Sequence, residues 1–299
     1  MLGLDPDPSG LWAVASESGA AAKLAGPASQ AGSDIEASPA ARASALAVQV
    51  HCCALIDAVA PACVAVKPQL ACFERLGAPG RAALEAVIGY AHDAGLLVIA
   101  DGKRGDIDVT ARAYAESLYR GLQTPFGRLA GLDSDLATVN PLMGSDAVEP
   151  FVSVARAAGA GVLLLVRTSN PGAAEIEDLE LAGGGRVWER LARLVDQLGQ
   201  PGVGESGLSD VGAVIGATIP GHLERARELM PNAVFLLPGV GAQGGRVQDL
   251  APAFAPGRAG GLVSASRSIA GAHLTAGGDP AQAARAEAER LRALAWRLE

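Results

Sequence analysis

Residues 96–107 read LLVIADGKRGDI, and this stretch decides which fold and which kind of site the sequence predicts. Its apolar first half has the length and composition of a buried β-strand. Asp101, Lys103 and Asp106 follow at the carboxyl end of that strand. In parallel α/β proteins ligands bind at this end of the strands. The stretch therefore predicts a charged ligand site at the end of a buried strand.

Lysine is scarce in this chain, which makes the position of each lysine informative. Of the 24 Lys and Arg residues only three are lysine, namely Lys23, Lys67 and Lys103. Lys67 also follows an apolar run, residues 63–66. Lysine supplies a compact ammonium that can release a proton, whereas arginine stays protonated. A salt-bridged lysine at a strand end is the plain alternative, but two of three lysines in this position favour chemistry.

Eight short apolar runs alternate with Ala-rich helical patterns along the 299 residues. The predicted strands are residues 1–4, 63–66, 96–100, 136–139, 161–166, 211–217, 233–236 and 261–263. Helices are predicted at residues 41–59, 81–94, 186–198 and 280–297. This alternation predicts an α/β fold, a (β/α)8 TIM barrel forming a single domain over residues 1–299, with a doubly wound open sheet as the alternative.

Two features depart from a regular barrel. Residues 13–40 are rich in Ala, Ser and Gly with little hydrophobic periodicity, which predicts a long low-complexity loop. The first strand begins at Met1 and therefore looks clipped. A loop after the first strand would lie on the functional face of the barrel.

The formal net charge of −8 argues against nucleic acid or an anionic membrane surface as a partner. We find no apolar stretch that looks long enough to span a bilayer. The four cysteines, at positions 52, 53, 63 and 72, form no C-x-x-C pair and favour reduced thiols in the cytoplasm. Residues 51–53 read HCC, but three consecutive helical residues point in different directions and do not predict a metal site.

Other predicted strand ends also carry polar or glycine-rich segments. Asp5 follows the first strand, and residues 168–172 (TSNPG) follow the fifth. Residues 238–245 and 264–269 follow the last two strands, whose loops often bind phosphate in barrel enzymes. Glycines let backbone N–H groups approach an anion, a following helix start adds favourable charge, and Arg267 can bind phosphate oxygens through its planar fork.

Residues 101–110 (DGKRGDIDVT) resemble the D-x-K-x-x-D-I-x-x-T signature of the orotidine 5′-phosphate decarboxylase family, in its longer bacterial branch. The resemblance covers nearly the whole chain. Five further segments fall in the family's order, namely residues 3–6 (GLDP), 66–68 (VKP), 168–172 (TSNPG), 238–243 (PGVGAQ) and 266–269 (SRSI).

The resemblance implies decarboxylation of orotidine 5′-monophosphate (OMP) to UMP without metal or organic cofactor. It implies a catalytic array of Lys67, Asp101, Lys103 and Asp106. The implied substrate-binding residues are Asp5 and Thr110 for ribose, Ser169 and Gln243 for the pyrimidine, Pro238 in the nucleotide-specific loop, and Gly239, Ser266 and Arg267 for phosphate. It also implies a homodimer in which Asp106 and Thr110 serve the partner's site.

Three alternatives remain open from the residues. One is a magnesium-dependent sugar-phosphate decarboxylase or aldol-type synthase on the same barrel, which would favour a further carboxylate where Lys67 stands. Another is a Schiff-base aldolase through Lys103, although two adjacent carboxylates should keep that lysine charged. The third is a non-catalytic barrel that binds nucleotide phosphates.

Overall fold

The wall of the barrel is one parallel sheet in the computed structural model, which describes residues 1–24, 37–241 and 243–298. Strands within the described residues are β1 (Leu2–Leu4), β2 (Ala65–Pro68), β3 (Leu97–Arg104), β4 (Leu122–Thr124), β5 (Gly127–Leu129), β6 (Leu136–Val139), β7 (Gly161–Arg167), β8 (Val211–Ile215), β9 (Phe235–Leu237) and β10 (Gly261–Val263). Of these, β4 and β5 form a separate antiparallel hairpin. The other eight build the barrel.

The sheet closes into a ring. Its order is β1-β2-β3-β6-β7-β8-β9-β10, and neighbouring strands in that order are parallel. Leu2 then bridges to Ala265 beyond β10, where the Gly3 N–H donates to the Ala265 carbonyl at 2.9 Å. The eight predicted strands and the barrel are confirmed, and the open doubly wound sheet is wrong. The first strand, expected to be clipped, is three residues long and paired on both sides.

Helices surround the sheet and connect its strands. They are α1 (Ala13–Leu24), α2 (Pro39–Val59), α3 (Leu70–Glu74), α4 (Ala78–Asp93), α5 (Asp108–Leu118), α6 (Ser145–Ala158), α7 (Ala173–Ile176), α8 (Val187–Gly199), α9 (Gly221–Leu229), α10 (Arg267–Ala270), α11 (Ala272–Ala276) and α12 (Pro280–Ala295). Short 3₁₀ turns lie at Ala60–Ala62, Gln200–Gly202, Val247–Phe254 and Arg258–Gly260. The four predicted helices correspond to α2, α4, α8 and α12, with small shifts at their ends.

The loop expected over residues 13–40 is in part wrong, because residues 13–24 form α1. This helix packs closely on α2 through small residues. A Cβ atom on Gly19 would lie 2.8 Å from the Ala47 Cβ and 3.0 Å from the Ala43 carbonyl oxygen. The α1 helix packs through this close backbone approach and not through a stripe of large apolar side chains, which is the pattern that hydrophobic periodicity detects. The remainder of the expected loop, residues 25–36, lies outside the described residues.

The expectation that no apolar stretch could span a membrane also needs correction. The helical segment Pro39–Ala62, which contains α2, is long and apolar enough by length and composition, with a mean hydropathy of 1.6. In the fold, however, 56% of that window is buried inside the protein. Val48, Cys52 and Ile56 are fully buried in the main core, so the segment packs as a core helix of the barrel.

Alternation along the strands separates two cores. One lies inside the barrel and consists of Ala65, Ile99, Leu163, Val214 and Leu236. The larger one lies between the sheet and the helices, and its strand residues, such as Val66 and Val98, alternate with the inner ones. Successive strand residues face opposite sides of the sheet. The residue two positions after each inner-core residue therefore also faces inward, nearer the carboxyl end of the barrel.

Candidate active site

The inward positions just above the inner core carry polar side chains. Lys67 stands two residues after Ala65, and Asp101 stands two residues after Ile99. Thr138 stands two residues after Leu136, which also packs on the inner core. Strand alternation thus directs these three side chains into the mouth of the barrel, at the end where (β/α)8 barrels bind ligands.

The Asp101 carboxylate lies at the centre of this cluster and accepts hydrogen bonds from four donors. Its Oδ1 accepts from Lys103 Nζ at 2.6 Å and from Thr138 Oγ1 at 2.9 Å. Its Oδ2 accepts from Lys67 Nζ and, at 3.3 Å, from Gln69 Nε2. Asp101 and Lys67 are both buried. The carboxylate therefore has little freedom to rotate away from the two ammonium groups.

The same contacts set the ionisation of Asp101. Burial alone would raise its pKa, but the neighbouring charges of Lys67 and Lys103 and their hydrogen bonds outweigh burial and lower the pKa to about 2. Asp101 is consequently ionised at neutral pH. The cluster is a carboxylate between two cations, which keeps opposite charges adjacent.

Lys103 reaches the cluster through an irregular piece of backbone. The pairing of β3 with β6 shifts register between Ala100 and Arg104, as at a β-bulge. Within that bulge Lys103 has φ +46°, a left-handed conformation that residues with a side chain seldom adopt. The bulge brings Lys103, two residues beyond Asp101, back to the same carboxylate.

The opposite wall is formed by the loops after β9 and β10. Gly239 and Gly241 have φ +101° and +77°, values that favour glycine. The Gln243 side chain lies over Gly239, where an added Cβ would be 2.9 Å from its Oε1. Arg267 is exposed to the cavity at the start of α10. The helix expected after the last strand is present as α10, which has four residues, and Arg267 is its first residue.

Both walls border one cavity of about 530 Å³. Ten of the twelve residues selected from the sequence line it, namely Asp5, Lys67, Asp101, Lys103, Ser169, Pro238, Gly239, Gln243, Ser266 and Arg267. The cavity is large enough for a mononucleotide-sized ligand. It places a lysine–carboxylate cluster on one side and an arginine with glycine-rich backbone on the other.

Asp106 and Thr110 are the two selected residues that the structure does not bring to this cavity. Asp106 accepts a hydrogen bond from the Ile107 N–H at 2.8 Å. Thr110 is exposed on the first turn of α5. Neither side chain lines the cavity of its own chain.

The cavity residues that were not selected from the sequence include the polar residues Gln69, Thr138 and Glu177. Gln69 and Thr138 bind Asp101 as described above. Glu177 accepts from the Thr168 N–H at 2.8 Å and from Thr168 Oγ1 at 3.0 Å, and so holds the 168–172 loop. Strand parity could have indicated that Thr138 faces the barrel interior, because it lies two residues beyond an inward leucine, but not that it contacts Asp101.

The buried Arg167 anchors the same loop from below. Its guanidinium makes two hydrogen bonds of 2.9 Å to the Asp178 carboxylate, which lower the pKa of Asp178. It also donates to the Thr168 carbonyl at 2.7 Å. Paired N–H donors of this kind fix orientation as well as distance. The loop carrying Ser169 is thus tied to the barrel at both ends.

The fold and the cavity define a (β/α)8 barrel with a charged ligand site at the carboxyl ends of its strands. The model of the orotidine 5′-phosphate decarboxylase / HUMPS family matches residues 44–286, and the chain belongs to that family.

Individual proteins agree with this assignment. The chain is 44% identical over 229 residues to the orotidine 5′-phosphate decarboxylase of Rhodopirellula baltica, covering 77% of this chain and 74% of that one. It is 46% identical over 216 residues to the corresponding protein of Deinococcus radiodurans, covering 72% and 74%. The solved OMP decarboxylase of Leishmania donovani superposes with a TM-score of 0.66 at 32% identity, covering 84% of this chain and 89% of that one.

Proposed function

We propose that this protein decarboxylates OMP to UMP in de novo pyrimidine biosynthesis. The observation that carries the proposal is the Asp101 carboxylate, held between Lys67 and Lys103 across the cavity from Arg267. One wall of the cavity is suited to a reacting carboxylate and the other to a phosphate.

In the proposed reaction the substrate carboxylate lies against Asp101. Two carboxylates in a site of low effective dielectric repel one another, and departure of carbon dioxide relieves that repulsion. The bond between C6 and the carboxylate carbon breaks, and its electron pair remains on C6. The ammonium of Lys103 stabilises this carbanion, transfers a proton to C6 and is reprotonated by solvent.

Substrate binding is assigned to the remaining cavity residues. Arg267 binds the phosphate through charged hydrogen bonds, together with backbone N–H groups near Gly239 and Ser266. Ser169 and Gln243 face the pyrimidine beside Pro238, and Asp5 binds ribose hydroxyls. Phosphate binding far from C6 contributes energy that helps to orient the reacting carboxylate.

The functional unit in this proposal is a homodimer in which Asp106 and Thr110 complete the partner's site. Two observations support a second copy as the occupant of this face. Neither residue lines the cavity of its own chain. Between them in the sequence stand two exposed apolar side chains, Ile107 at 54% and Val109 at 74% exposure. Exposed apolar side chains clustered next to polar site residues are typical of protein interfaces.

Magnesium-dependent chemistry is the main rival within the same barrel class. A metal-stabilised enediolate would favour a further carboxylate on the strand next to Asp101, but Lys67 occupies that strand end and its ammonium contacts Asp101. We therefore include no metal or organic cofactor in the proposal.

The four cysteines are free thiols, which supports a reducing, cytoplasmic setting.

The direct test is to follow the loss of OMP absorbance with purified protein, with and without exhaustive EDTA treatment. We expect turnover at the same rate in both samples. A requirement for added magnesium would favour the sugar-phosphate decarboxylase, and binding of UMP without OMP turnover would favour the non-catalytic barrel.

The dimer is tested by mixing inactive Asp106→Ala and Lys103→Ala chains under conditions of subunit exchange. In a heterodimer one site collects both defects and the other is intact. Random pairing makes about half of the dimers heterodimers, each with one good site of two, so activity should return to roughly a quarter of wild type. If Asp106 serves its own chain, the exchanged mixture stays inactive.

A further inference from the structure

The uncharged Thr138 hydroxyl contacts both the backbone N–H of Lys103 and the carboxylate of Asp101. Thr138 lies on β6, is 1% exposed, and stands beside the irregular part of β3 that contains Asp101 and Lys103. Its hydroxyl oxygen accepts a hydrogen bond from the Lys103 N–H at 2.9 Å. The same hydroxyl donates to Asp101 Oδ1 at 2.9 Å.

The direction of both hydrogen bonds is fixed by chemistry. A backbone N–H can only donate, and an ionised carboxylate can only accept. The single hydroxyl proton of Thr138 must therefore point to Asp101, while an oxygen lone pair faces Lys103. The Thr138 hydroxyl thereby links the backbone nitrogen of Lys103, the proposed proton donor, to the Asp101 carboxylate.

The backbone at Lys103 has a particular need for such a tie. Its φ of +46° is disfavoured for a residue with a side chain and persists only where the surroundings hold it. The N–H that Thr138 accepts belongs to this strained residue. Without the hydroxyl, that N–H loses its side-chain acceptor and the left-handed conformation loses a constraint.

Asp101 has a second reason to depend on Thr138. Lys103 Nζ and Thr138 Oγ1 bind the same carboxylate oxygen, whereas Lys67 and Gln69 bind the other. Removal of the Thr138 hydroxyl leaves Oδ1 with Lys103 Nζ as its one donor among the described residues. The carboxylate then gains rotational freedom at the oxygen nearest the reacting ammonium.

We propose that Thr138 is a positioning residue that fixes the Lys103 backbone and the Asp101 carboxylate in one shared geometry. This inference rests on the proposed decarboxylation for its catalytic consequence. Because Thr138 acts on the groups that meet the departing carboxylate, its loss should lower kcat. UMP lacks that carboxylate, so its affinity should change little.

The test compares Thr138→Val, which keeps the shape and removes the hydroxyl, with Thr138→Ser, which keeps the hydroxyl. Thr138→Val should lower kcat by about 10- to 100-fold, as expected for loss of a hydrogen bond to a charged group, and leave the Kd of UMP within about twofold. Thr138→Ser should stay within about threefold of wild type in kcat.

A matched control removes another buried hydroxyl. Ser134 donates from its Oγ to the Leu118 carbonyl and does not line the cavity. Ser134→Ala should therefore lower stability without the loss of kcat seen in Thr138→Val. Should Thr138→Val not fold, Thr138→Ala takes its place under the same criteria.

Amide hydrogen exchange at Lys103 gives a readout that needs no turnover. The exchange rate should rise by about tenfold or more in Thr138→Val and remain near wild type in Thr138→Ser, because only valine removes the acceptor. Unchanged exchange in Thr138→Val, unchanged kcat, or equal losses of kcat in the valine and serine variants each overturn the inference. Absence of OMP turnover in the wild type instead overturns the proposed function, and exchange at Lys103 still tests the geometry.

Discussion

The two walls of the cavity differ in how far the protein completes them by itself. At the ends of β2, β3 and β6, Asp101 and Lys67 are buried, and four donors satisfy the Asp101 carboxylate. At the ends of β9 and β10, Arg267 is exposed to the cavity and makes no ion pair with any residue that the structure describes. The first wall, here called the lysine wall, has its charged side chains bonded to one another before a ligand binds. The second, here called the arginine wall, gains an ionic partner for Arg267 only when a ligand binds.

This difference indicates how the two walls divide the work. Preorganised charges stabilise a transition state without reorganising during the reaction, so the lysine wall should control kcat. An open cation with glycine-rich backbone gains its partner only on binding, so the arginine wall should control affinity. Substitutions on the two walls should therefore affect different kinetic constants.

The largest effect should come from Lys103→Ala. This change removes both the counter-charge of the carbanion and its proton source, each of which contributes about two or more powers of ten to rate. We expect kcat to fall by at least about four powers of ten, while UMP binding is largely retained. Single-turnover kinetics and UMP titration measure the two quantities separately.

Folding of the Lys103→Ala variant serves as the control. The Lys103 side chain is 44% exposed at the mouth of the barrel, so its loss should leave the unfolding midpoint nearly unchanged. A folded variant that keeps a tenth of wild-type kcat would remove Lys103 from the central role and erase the contrast between the two walls.

A smaller effect, in the other constant, is expected for Arg267→Ala. Loss of a charged hydrogen bond to phosphate should weaken OMP and UMP binding by about 1.5–3 kcal/mol. The matched comparison uses a nucleoside substrate that lacks the phosphate, for which the variant should differ much less from wild type. Equal losses with both substrates would show that Arg267 does not contact that group.

The contrast between the walls also explains what the sequence could predict. Strand ends and residue types are local features of the sequence. They were enough to predict the eight strands, the arginine wall and the cluster of Lys67, Asp101 and Lys103. Two of these residues are lysines in a chain that has only three, which made them easy to select.

Thr138 and Gln69 were missed because their roles depend on register between strands. Thr138 binds Asp101 only because β6 lies beside β3 and the pairing shifts at the bulge. No pattern within residues 136–139 reveals that shift. Glu177 was missed for a related reason, since it reaches Thr168 through the path of a loop.

The helix α1 shows a different failure of sequence pattern. Gly19 of α1 lies against Ala43 and Ala47 of α2, which allows the two backbones to approach closely. Packing through small residues produces almost no hydrophobic periodicity, so the segment read as a loop. The error concerned a covering helix and left the prediction of the barrel and its site intact.

The smallest effect should be the pH dependence of wild-type kcat, and it separates the two walls without any substitution. The pKa of Asp101 is lowered to about 2. The carboxylate is therefore ionised at any pH above about 4, and the stability that its ionised form contributes is lost only as the pH falls from there through 2. From pH 5 to 8 the carboxylate does not titrate, and kcat should be flat. The substrate phosphate loses its second charge near pH 6, so KM should rise as pH falls, because the open arginine wall then binds a less charged group.

Measuring kcat and KM at intervals across pH 5 to 8 checks this expectation. In Arg267→Ala the rise of KM toward acid pH should be weaker than in the wild type, since the cation that senses the phosphate charge is gone. A wild-type kcat that falls with an apparent pKa between 5 and 7 would mean that a group of the lysine wall changes charge in that range. The lysine wall would then not be fixed in charge before the substrate binds, and the distinction between a preorganised wall and an open one would fail.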